Sequence, residues 1–199
     1  MDPRELGNKY DRIARWWQDR HNDSRYGVAQ VERALQYSDV EKGCALDVGC
    51  GAGGRLVRAV NARGLTVSGI DVSREMIALA QANHPDQQFE VADICNWQSS
   101  AQFDFIVAWD SIFHLPLAQQ KPVLIKLTNL LNQGGVLIYT FGDAVGEHTD
   151  RWHDDTFYYS SIGIEENVKI LFGNGLKVVH LERDQHPERH VYIIAQREG

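Results

Sequence analysis

The feature that most constrains the fold is the stretch Asp47-Val48-Gly49-Cys50-Gly51-Ala52-Gly53-Gly54, where a short apolar run ends in four glycines within six positions. Glycine has no Cβ and adopts positive φ at little cost, so such a loop brings backbone N–H groups close to a bound molecule. The helix expected after the loop, at about 54–63, adds unpaired N–H groups at its N-terminus. The stretch therefore predicts a strand, a ligand-binding loop and a helix.

Strand and helix patterns alternate after residue 43. Strands are predicted at 44–49, 65–71, 89–93, 103–109 and 136–141, and helices at about 54–63, 73–83, 117–132 and 164–173. Ser73 is expected to cap the second of these helices, and Gln133-Gly134-Gly135 to end the third. The alternation is typical of an α/β fold with a mostly parallel sheet and helices on both faces. Ligands bind such sheets beyond the carboxyl ends of the strands.

Both ends of the chain depart from this alternation. Residues 1–43 carry Tyr10, Trp16 and Trp17 at helical spacing, followed by a helix at about 28–37, and are interpreted as a helical lid segment. Residues 142–163 form a polar and aromatic loop far longer than the usual connection of roughly two to six residues, so we expect a substrate-side insertion. Residues 176–183 and 190–196 are predicted to pair as an antiparallel hairpin. We expect residues 1–199 to form a single domain.

Composition and charge narrow the class of function. The net charge of −7 and the pI near 5.6 argue against non-specific binding to nucleic acids or anionic membranes. The three cysteines, at positions 44, 50 and 95, lack a CxxC spacing, and His148 and His153 match no common helical ligand pair, so no metal site is predicted. The charged N-terminus and the lack of a long apolar run predict no signal peptide or membrane span and a cytoplasmic location.

Five landmarks stand in a fixed order along the chain. An apolar strand runs into D-x-G-x-G-x-G at 47–53, Asp71 ends the second predicted strand, and Asp93 ends the third. The apolar strand at 103–109 and the stretch Leu130-Leu131-Asn132-Gln133-Gly134-Gly135 before the fifth strand complete the set. In this order they resemble the class I S-adenosylmethionine-dependent methyltransferases, over about 44–196. The resemblance implies a Rossmann-like seven-stranded sheet whose last strand is antiparallel, in agreement with the predicted terminal hairpin.

The resemblance also implies a cofactor, S-adenosylmethionine, which would leave as S-adenosylhomocysteine. Its methionine portion would meet Asp47 and the glycine loop, and Asp71 would accept hydrogen bonds from the two ribose hydroxyls, a task that suits a carboxylate because charge-assisted bonds are strong. Alternatives stay open for three of these residues. Asp71 can cap a helix, Asp93 can accept hydrogen bonds from the backbone of its own turn, and Met76 can pack in the hydrophobic core. The cofactor-binding candidates are Asp47, Gly49, Cys50, Gly51, Gly53, Asp71, Val72, Met76, Asp93, Ile94 and Trp109.

The methyl acceptor is expected after the fourth strand, at 109–114. Methyl transfer requires positioning, exclusion of water and, for an acceptor that carries a proton, a base. Asp110 and His114 are the catalytic candidates, because they can orient the acceptor and a neutral His114 can accept a proton. Aromatic walls hold planar or cationic molecules, which favours a small amine, thiol or aromatic acceptor. The substrate-binding candidates are Tyr10, Trp16, Trp17, His114, Trp152, His153 and Tyr158, with Phe157 and Tyr159 beside them.

These patterns predict a methyltransferase acting on a small molecule, as a monomer or homodimer, with neither nucleic acid nor membrane as partner. Residues 49–54 also satisfy the G-x-G-x-x-G of nicotinamide dehydrogenases, although three strand-end acids favour a sulfonium cofactor. A nucleic-acid or protein methyltransferase would share the fold, but Asp110-Ser111-Ile112-Phe113 differs from the Asn/Asp-Pro-Pro-aromatic typical of DNA amino-methylating enzymes. A non-catalytic module that binds the cofactor would keep the same glycine loop.

Overall fold

Seven strands form one sheet with helices on both faces in the computed structural model, which describes residues 1–199. The helices are α1 (Pro3–His21), α2 (Val28–Leu35), α3 (Arg55–Ala62), α4 (Arg74–Asn83), α5 (Leu117–Asn129) and α6 (Gly163–Gly173). The strands are β1 (Gly43–Val48), β2 (Leu65–Asp71), β3 (Gln88–Val91), β4 (Phe103–Ala108), β5 (Leu131–Gly142), β6 (Val145–Trp152), β7 (Asp155–Ile162), β8 (Leu176–Asp184) and β9 (His190–Arg197).

The strand order in the sheet is β3-β2-β1-β4-β5-β9-β8. The first five strands pair in parallel, and β9 runs antiparallel to both β5 and β8. This arrangement confirms the predicted Rossmann-like class, including the antiparallel hairpin at the C-terminal end. None of the helices is both long and apolar enough to span a membrane.

The sheet is buried on both faces, which explains the nearly continuous apolar run of β4. Ile106 faces a cluster formed with α5 and α6, whereas Phe105 and Val107 face a second cluster formed with α2 and α3. A parallel sheet covered on both sides has little room to shift. Its carboxyl edge is therefore a rigid base for the loops that follow β1, β2 and β4.

The predicted end of the helix at 117–132 is wrong. Helix α5 ends at Asn129, and Gly134 and Gly135 lie inside β5 rather than at a C-cap. The pairing register between β4 and β5 shifts at this point, and a Cβ on Gly135 would lie 3.1 Å from the carbonyl oxygen of Phe103. The two glycines thus permit an irregular, close strand approach, a role that a sequence cannot tell from a helix stop.

Residues 142–163 are not the loop that the sequence predicted. They form the antiparallel hairpin of β6 and β7, whose turn residues His153 and Asp154 both have positive φ, 48° and 59°. Such a turn matches the twist of the paired strands. Strand β6 is exposed along nearly its whole length, so it carries no alternation of apolar and polar residues that would identify a strand.

Helix α1 lies across the carboxyl edge of the sheet and contacts both the start of α4 and the β6–β7 hairpin. The Asp11 carboxylate accepts hydrogen bonds from Ser73 Oγ (2.6 Å) and from the backbone N–H of Glu75 (3.0 Å) at the start of α4. Ser73 caps α4, as predicted, by accepting from the Met76 N–H. On the other side, Lys9 is buried and donates to the Thr156 carbonyl of β7. These contacts hold α1 across the carboxyl edge of the sheet.

Replacing Asp11 by alanine should loosen α1 without unfolding the sheet. The change removes two hydrogen bonds to a half-exposed carboxylate, so amide exchange along α1 should accelerate about fivefold, the equivalent of about 1 kcal/mol. Hydrogen exchange measured by mass spectrometry would follow the helix. Asp19→Ala is the matched control, since Asp19 lies on the same helix, is exposed and has no side-chain partner. Equal acceleration in both variants would show that the hydrogen bonds of Asp11 to the start of α4 do not hold α1 in place.

Candidate active site

A deep cleft opens at the carboxyl ends of β1, β2 and β4, the edge that the sequence predicted for a ligand. Its walls come from the loops and turns after these strands, and α1 covers it with Tyr10 and Trp17. The lining segments are residues 47–52, 54–56, 70–72, 92–94 and 109–112. The predicted cofactor-binding candidates therefore face one common space, apart from Gly53, which turns away from it.

The glycine loop is shaped by backbone contacts that exclude side chains. Gly49 has a φ of 74°, and a Cβ there would lie 2.2 Å from the Cβ of Ser111. Gly51 also has a positive φ, 54°, but a Cβ there would meet nothing closer than Trp17 Nε1 at 3.6 Å. Gly49 thus permits close packing against the segment after β4, whereas Gly51 keeps the loop backbone open toward the cleft.

Asp47 is a buried acid that no protein group neutralises by hydrogen bonding. It is 4% exposed, lines the cleft, and its carboxylate makes no hydrogen bond to the protein. Burial raises the pKa of Asp47 to about 7, the charge of Asp71 adds to the increase, and Arg55 opposes it. Because the ionised form is destabilised, a cation placed beside Asp47 would be strongly favoured there.

Asp71 organises the loop and the turn before α4 at the same time. One carboxylate oxygen accepts from the Gly51 N–H and the other from the Ser73 N–H, each at 2.9 Å. Burial raises the pKa of Asp71 despite these bonds, which lower it. Since Ser73 is the residue that caps α4, the capping alternative does not describe Asp71. An ionised carboxylate has about four acceptor positions, so these bonds leave part of its capacity for a ligand.

Two further cofactor candidates, Asp93 and Met76, also line the cleft. Asp93 accepts from the Cys95 N–H (2.9 Å) and from Asn96 Nδ2 (2.8 Å), so it holds its own turn while lining the cleft. Met76 is 2% exposed, packs with Ala14 of α1 and also lines the cleft. Both the structural and the ligand-facing roles are compatible with these positions.

His114 and Tyr10 form a buried pair that lines the cleft. His114 Nδ1 lies 2.8 Å from the Tyr158 carbonyl oxygen, which only accepts, so Nδ1 carries the proton. Nε2 then accepts from the Tyr10 hydroxyl at 2.9 Å. Burial lowers the pKa of His114 to about 4, despite the hydrogen bond to Tyr158. The imidazole is therefore neutral at physiological pH and fixes the orientation of Tyr10.

Asp110 follows β4 in a left-handed backbone conformation, with φ 51°. Its Oδ1 accepts from His190 Nε2 at 2.9 Å and from Thr140 Oγ1 at 3.2 Å, and His190 Nδ1 is bonded in turn to Asp184. Burial lowers the pKa of His190, but the bonds to Asp110 and Asp184 outweigh that effect and raise it. The result is a carboxylate–imidazole–carboxylate chain that ends at the cleft.

A second cavity begins where the first cleft ends. Tyr26 and Asp110 line both, and the remaining walls of the second cavity come from Phe113, the end of β5 with the loop after it, the β6–β7 hairpin, and the turn between β8 and β9 with the start of β9. The two spaces therefore share a boundary at the carboxyl end of β4. A molecule in the second cavity would meet a molecule in the first at that boundary.

The substrate-binding candidates are divided between two places. Tyr10, Trp17 and His114 line the first cleft. Trp16, Trp152 and His153 instead cluster near the surface, where the rings of Trp16 and His153 lie 3.9 Å apart, and they line neither space. Tyr158 also lines neither space; its hydroxyl donates to Glu147 and accepts from the Leu117 N–H.

Several residues that line the cleft or the second cavity were not singled out by the sequence analysis, among them Tyr26, Arg55 and His190. Arg55 could have been found from its place in the first helical turn after the glycine loop. His190 could not, because it lies 80 residues from Asp110 along the chain and no local pattern joins the two.

Part of the chain is similar in sequence to known proteins. Residues 45–135 match the family model described as a methyltransferase domain. The chain is 29% identical over 139 residues to a putative methyltransferase of Geobacillus sp. (strain WCH70), covering 65% of this chain and 56% of that protein. It is 39% identical over 99 residues to trans-aconitate 2-methyltransferase of Escherichia coli (strain 55989 / EAEC), covering 49% and 38%. The chain thus spans about half the length, or less, of these two curated relatives.

Solved structures share the whole architecture. Magnesium protoporphyrin IX methyltransferase from Synechocystis PCC 6803, with bound S-adenosylhomocysteine, superposes with a TM-score of 0.73 at 17% identity over 99% of this chain and 100% of that one. An S-adenosylmethionine-dependent methyltransferase from Clostridium acetobutylicum gives 0.70 at 16% identity, with 98% of each chain covered. The resemblance indicated by the sequence motifs is confirmed in its domain type and its fold.

Proposed function

We propose that this chain, which carries a methyltransferase domain in a class I fold, is an S-adenosylmethionine-dependent methyltransferase that acts on a small molecule. The observation that carries the proposal is Asp47, a buried carboxylate in the cleft with no donor from the protein. When bound, S-adenosylmethionine supplies a methyl group on a sulfonium, which the lone pair of an acceptor takes in an in-line displacement. The protein positions the reactants and excludes water.

The residues of the cleft fit this cofactor in charge as well as in shape. Asp47 suits the ammonium of the methionine portion, Arg55 on the same cleft suits its carboxylate, and Asp71 retains acceptor positions for ribose hydroxyls. Ile94 and Met76 offer apolar surface to the adenine. A dinucleotide fits less well, because Asp47 and Asp71 beside the glycine loop would repel a pyrophosphate.

Binding and transfer are tested separately. Calorimetry should detect S-adenosylhomocysteine and little response to NADH, whereas tight NADH binding without a response to S-adenosylhomocysteine would overturn the proposal. Mass spectrometry of a cell extract incubated with the protein and methyl-labelled cofactor should then reveal a labelled small molecule. Cofactor binding without any labelled product would favour the non-catalytic module. The cytoplasmic location, the monomeric or homodimeric state and the small-molecule partner remain predictions.

For the catalytic candidates, we propose that His114 acts through Tyr10. A histidine with a pKa of about 4 is a poor proton acceptor at neutral pH, but it is a good acceptor of the Tyr10 hydrogen bond. His114 is then a positioning residue, and the Tyr10 oxygen is the polar atom available to the acceptor. Asp110, at the boundary of the two spaces, is the second group that can contact the acceptor.

Tyr10→Phe should lower the rate of methyl transfer about tenfold, the scale of one lost hydrogen bond, and leave S-adenosylhomocysteine affinity nearly unchanged. The imidazole of His114 should add no pH dependence between pH 5 and 8, because its contribution is complete above its pKa of about 4 and is lost only as the pH falls through that value. Initial rates with labelled cofactor across that range provide the measurement.

Tyr37→Phe is the control for this prediction, since Tyr37 is a half-buried tyrosine that lines neither space. A falling limb near pH 6.5 that disappears in a His114→Asn variant would show that His114 itself takes the proton. That result would contradict the positioning role.

A further inference from the structure

The second cavity has the size and the place of a binding site for a small molecule. Its volume is about 600 Å³, within the range of ligand pockets, and 19 residues line it. It touches the first cleft only at Tyr26 and Asp110. Under the proposed function, on which this inference depends, it is the space from which an acceptor would reach the methyl group.

The side chains that line this cavity carry an excess of negative charge. Five carboxylates line it, and the only arginine, Arg189, is bonded to one of them, Asp143, which also pairs with Arg183. Negative charge would remain in excess even if His148 and His190 were both protonated. Glu188 has no hydrogen bond or ion pair through its side chain. Asp143 and Asp110 already have basic partners, but Glu147, Asp150 and Glu188 are in no ion pair, and such carboxylates attract a cationic ligand and repel an anionic one.

Aromatic rings line the same cavity. Tyr159 stacks on His148 with 5.2 Å between ring centroids and 14° between ring planes, and Phe113 lies 5.6 Å from Tyr159. An aromatic face attracts a cation through its quadrupole, and it packs against apolar groups as well. The combination of carboxylates and rings is suited to an organic ammonium rather than to a hydrated metal ion.

Asp110 is held at the boundary by contacts from three elements. Its backbone N–H donates to Thr140 Oγ1 at 2.8 Å, its Oδ1 accepts from His190, and Asp184 fixes the other nitrogen of His190. Both of these side-chain bonds use Oδ1. Tyr26 and Arg55 also lie near this carboxylate, since burial and then the charge of Asp110 raise the pKa of Tyr26, and the same charge opposes the effect of burial on the pKa of Arg55. A carboxylate at this point also offsets the repulsion between an ammonium and a nearby sulfonium.

We propose that the second cavity is the acceptor subsite and selects a small molecule with a cationic amino group, which Asp110 receives. Asp110 takes one proton from that ammonium group, and the nitrogen lone pair so freed forms the bond to the methyl carbon as the carbon–sulfur bond breaks and S-adenosylhomocysteine leaves. Asp110 then returns its proton to water. His190 and Asp184 are positioning residues for Asp110. The acceptor class is thus an amine, rather than a phenol, a thiol or a carboxylic acid.

The test uses three matched probes on the full chain saturated with S-adenosylhomocysteine at pH 7: benzylamine, benzyl alcohol and benzoate. Amide chemical shifts measured by NMR should give a dissociation constant for benzylamine about tenfold below that of benzyl alcohol, as expected for one charge-assisted contact, with benzoate weakest. The shifted amides should include Asp110, Tyr159 and Glu188. Asp110→Asn should reduce the preference to less than about threefold.

Asp154→Asn is the matched control, because Asp154 also has a positive φ, 59°, and lines neither space. If the Asp110→Asn variant still binds S-adenosylhomocysteine, it is folded. Glu188→Gln, at an exposed position, is a second variant, and it should also lower the affinity for benzylamine. Equal binding of the three probes, preference for benzoate, or no probe binding would overturn the amine subsite. If the unmodified protein did not bind S-adenosylhomocysteine, the proposed function itself would be contradicted.

Discussion

Asp47→Asn should stabilise the ligand-free protein at pH 8. The pKa of Asp47 is raised from 3.8 to about 7, so its contribution to stability is complete below pH 4 and is lost as the pH rises through 7. At about 1.36 kcal/mol per pKa unit, ionisation costs up to about 4 kcal/mol at pH 8. The asparagine amide would itself be buried without partners, which costs about 1–3 kcal/mol. The free energy of unfolding of the variant should therefore exceed that of the unmodified protein by about 1–3 kcal/mol at pH 8.

Urea unfolding at pH 5 and pH 8 measures this effect. The unmodified protein should lose free energy of unfolding between the two values, relative to the Asp47→Asn variant. Asp39→Asn makes the same change in net charge at an exposed position without side-chain partners, and it should behave as the unmodified protein does. If the Asp39 and Asp47 variants have the same pH dependence, the buried acid is not a source of instability.

The same substitution at position 47 should weaken S-adenosylhomocysteine binding about ten- to 150-fold, the scale of about 1.5–3 kcal/mol for a hydrogen bond to a charged group. In the unmodified protein the affinity should rise with pH through about 7, because only ionised Asp47 pairs with an ammonium. The variant should lack that rise. A stability gain without an affinity loss would place the ammonium elsewhere in the cleft.

The sequence predicted best those parts of the fold that depend on local chemistry. The strand, loop and helix around Gly49, the cap at Ser73 and the acid at the end of β2 each follow from a few neighbouring residues. The terminal hairpin was also local, since β8 and β9 are close in sequence and carry apolar runs. Such features need no knowledge of the tertiary structure.

The missed features depend on contacts across the chain. His190 bonds to Asp110 across 80 residues, and the pairing of Tyr10 with His114 spans 104. Residues 142–163 were mistaken for a loop because β6 is exposed and lacks alternation. Gly134 and Gly135 were mistaken for a helix stop because a glycine pair permits either conformation. In each case the deciding partner lies on another element.

Asp71→Ala should weaken S-adenosylhomocysteine binding by about 1.5–3 kcal/mol, or about ten- to 150-fold, because it removes a charged acceptor for the ribose hydroxyls. Part of that loss would be indirect, since Asp71 also holds the N–H groups of Gly51 and Ser73. Asp71→Asn keeps the size of the side chain and one acceptor oxygen. Calorimetry on both variants separates a disturbed loop from a lost ligand contact.

A ligand variant separates the two contributions further. In the unmodified protein, the 2′-deoxy analogue of S-adenosylhomocysteine should bind about tenfold more weakly than S-adenosylhomocysteine, whereas the alanine variant should bind the two almost equally, because the lost hydroxyl and the lost carboxylate are partners. Asp86→Ala, at an exposed position without side-chain partners, is the control and should leave both affinities unchanged. Additive losses from the ligand change and the Asp71 change would mean that Asp71 supports the glycine loop without touching the ribose.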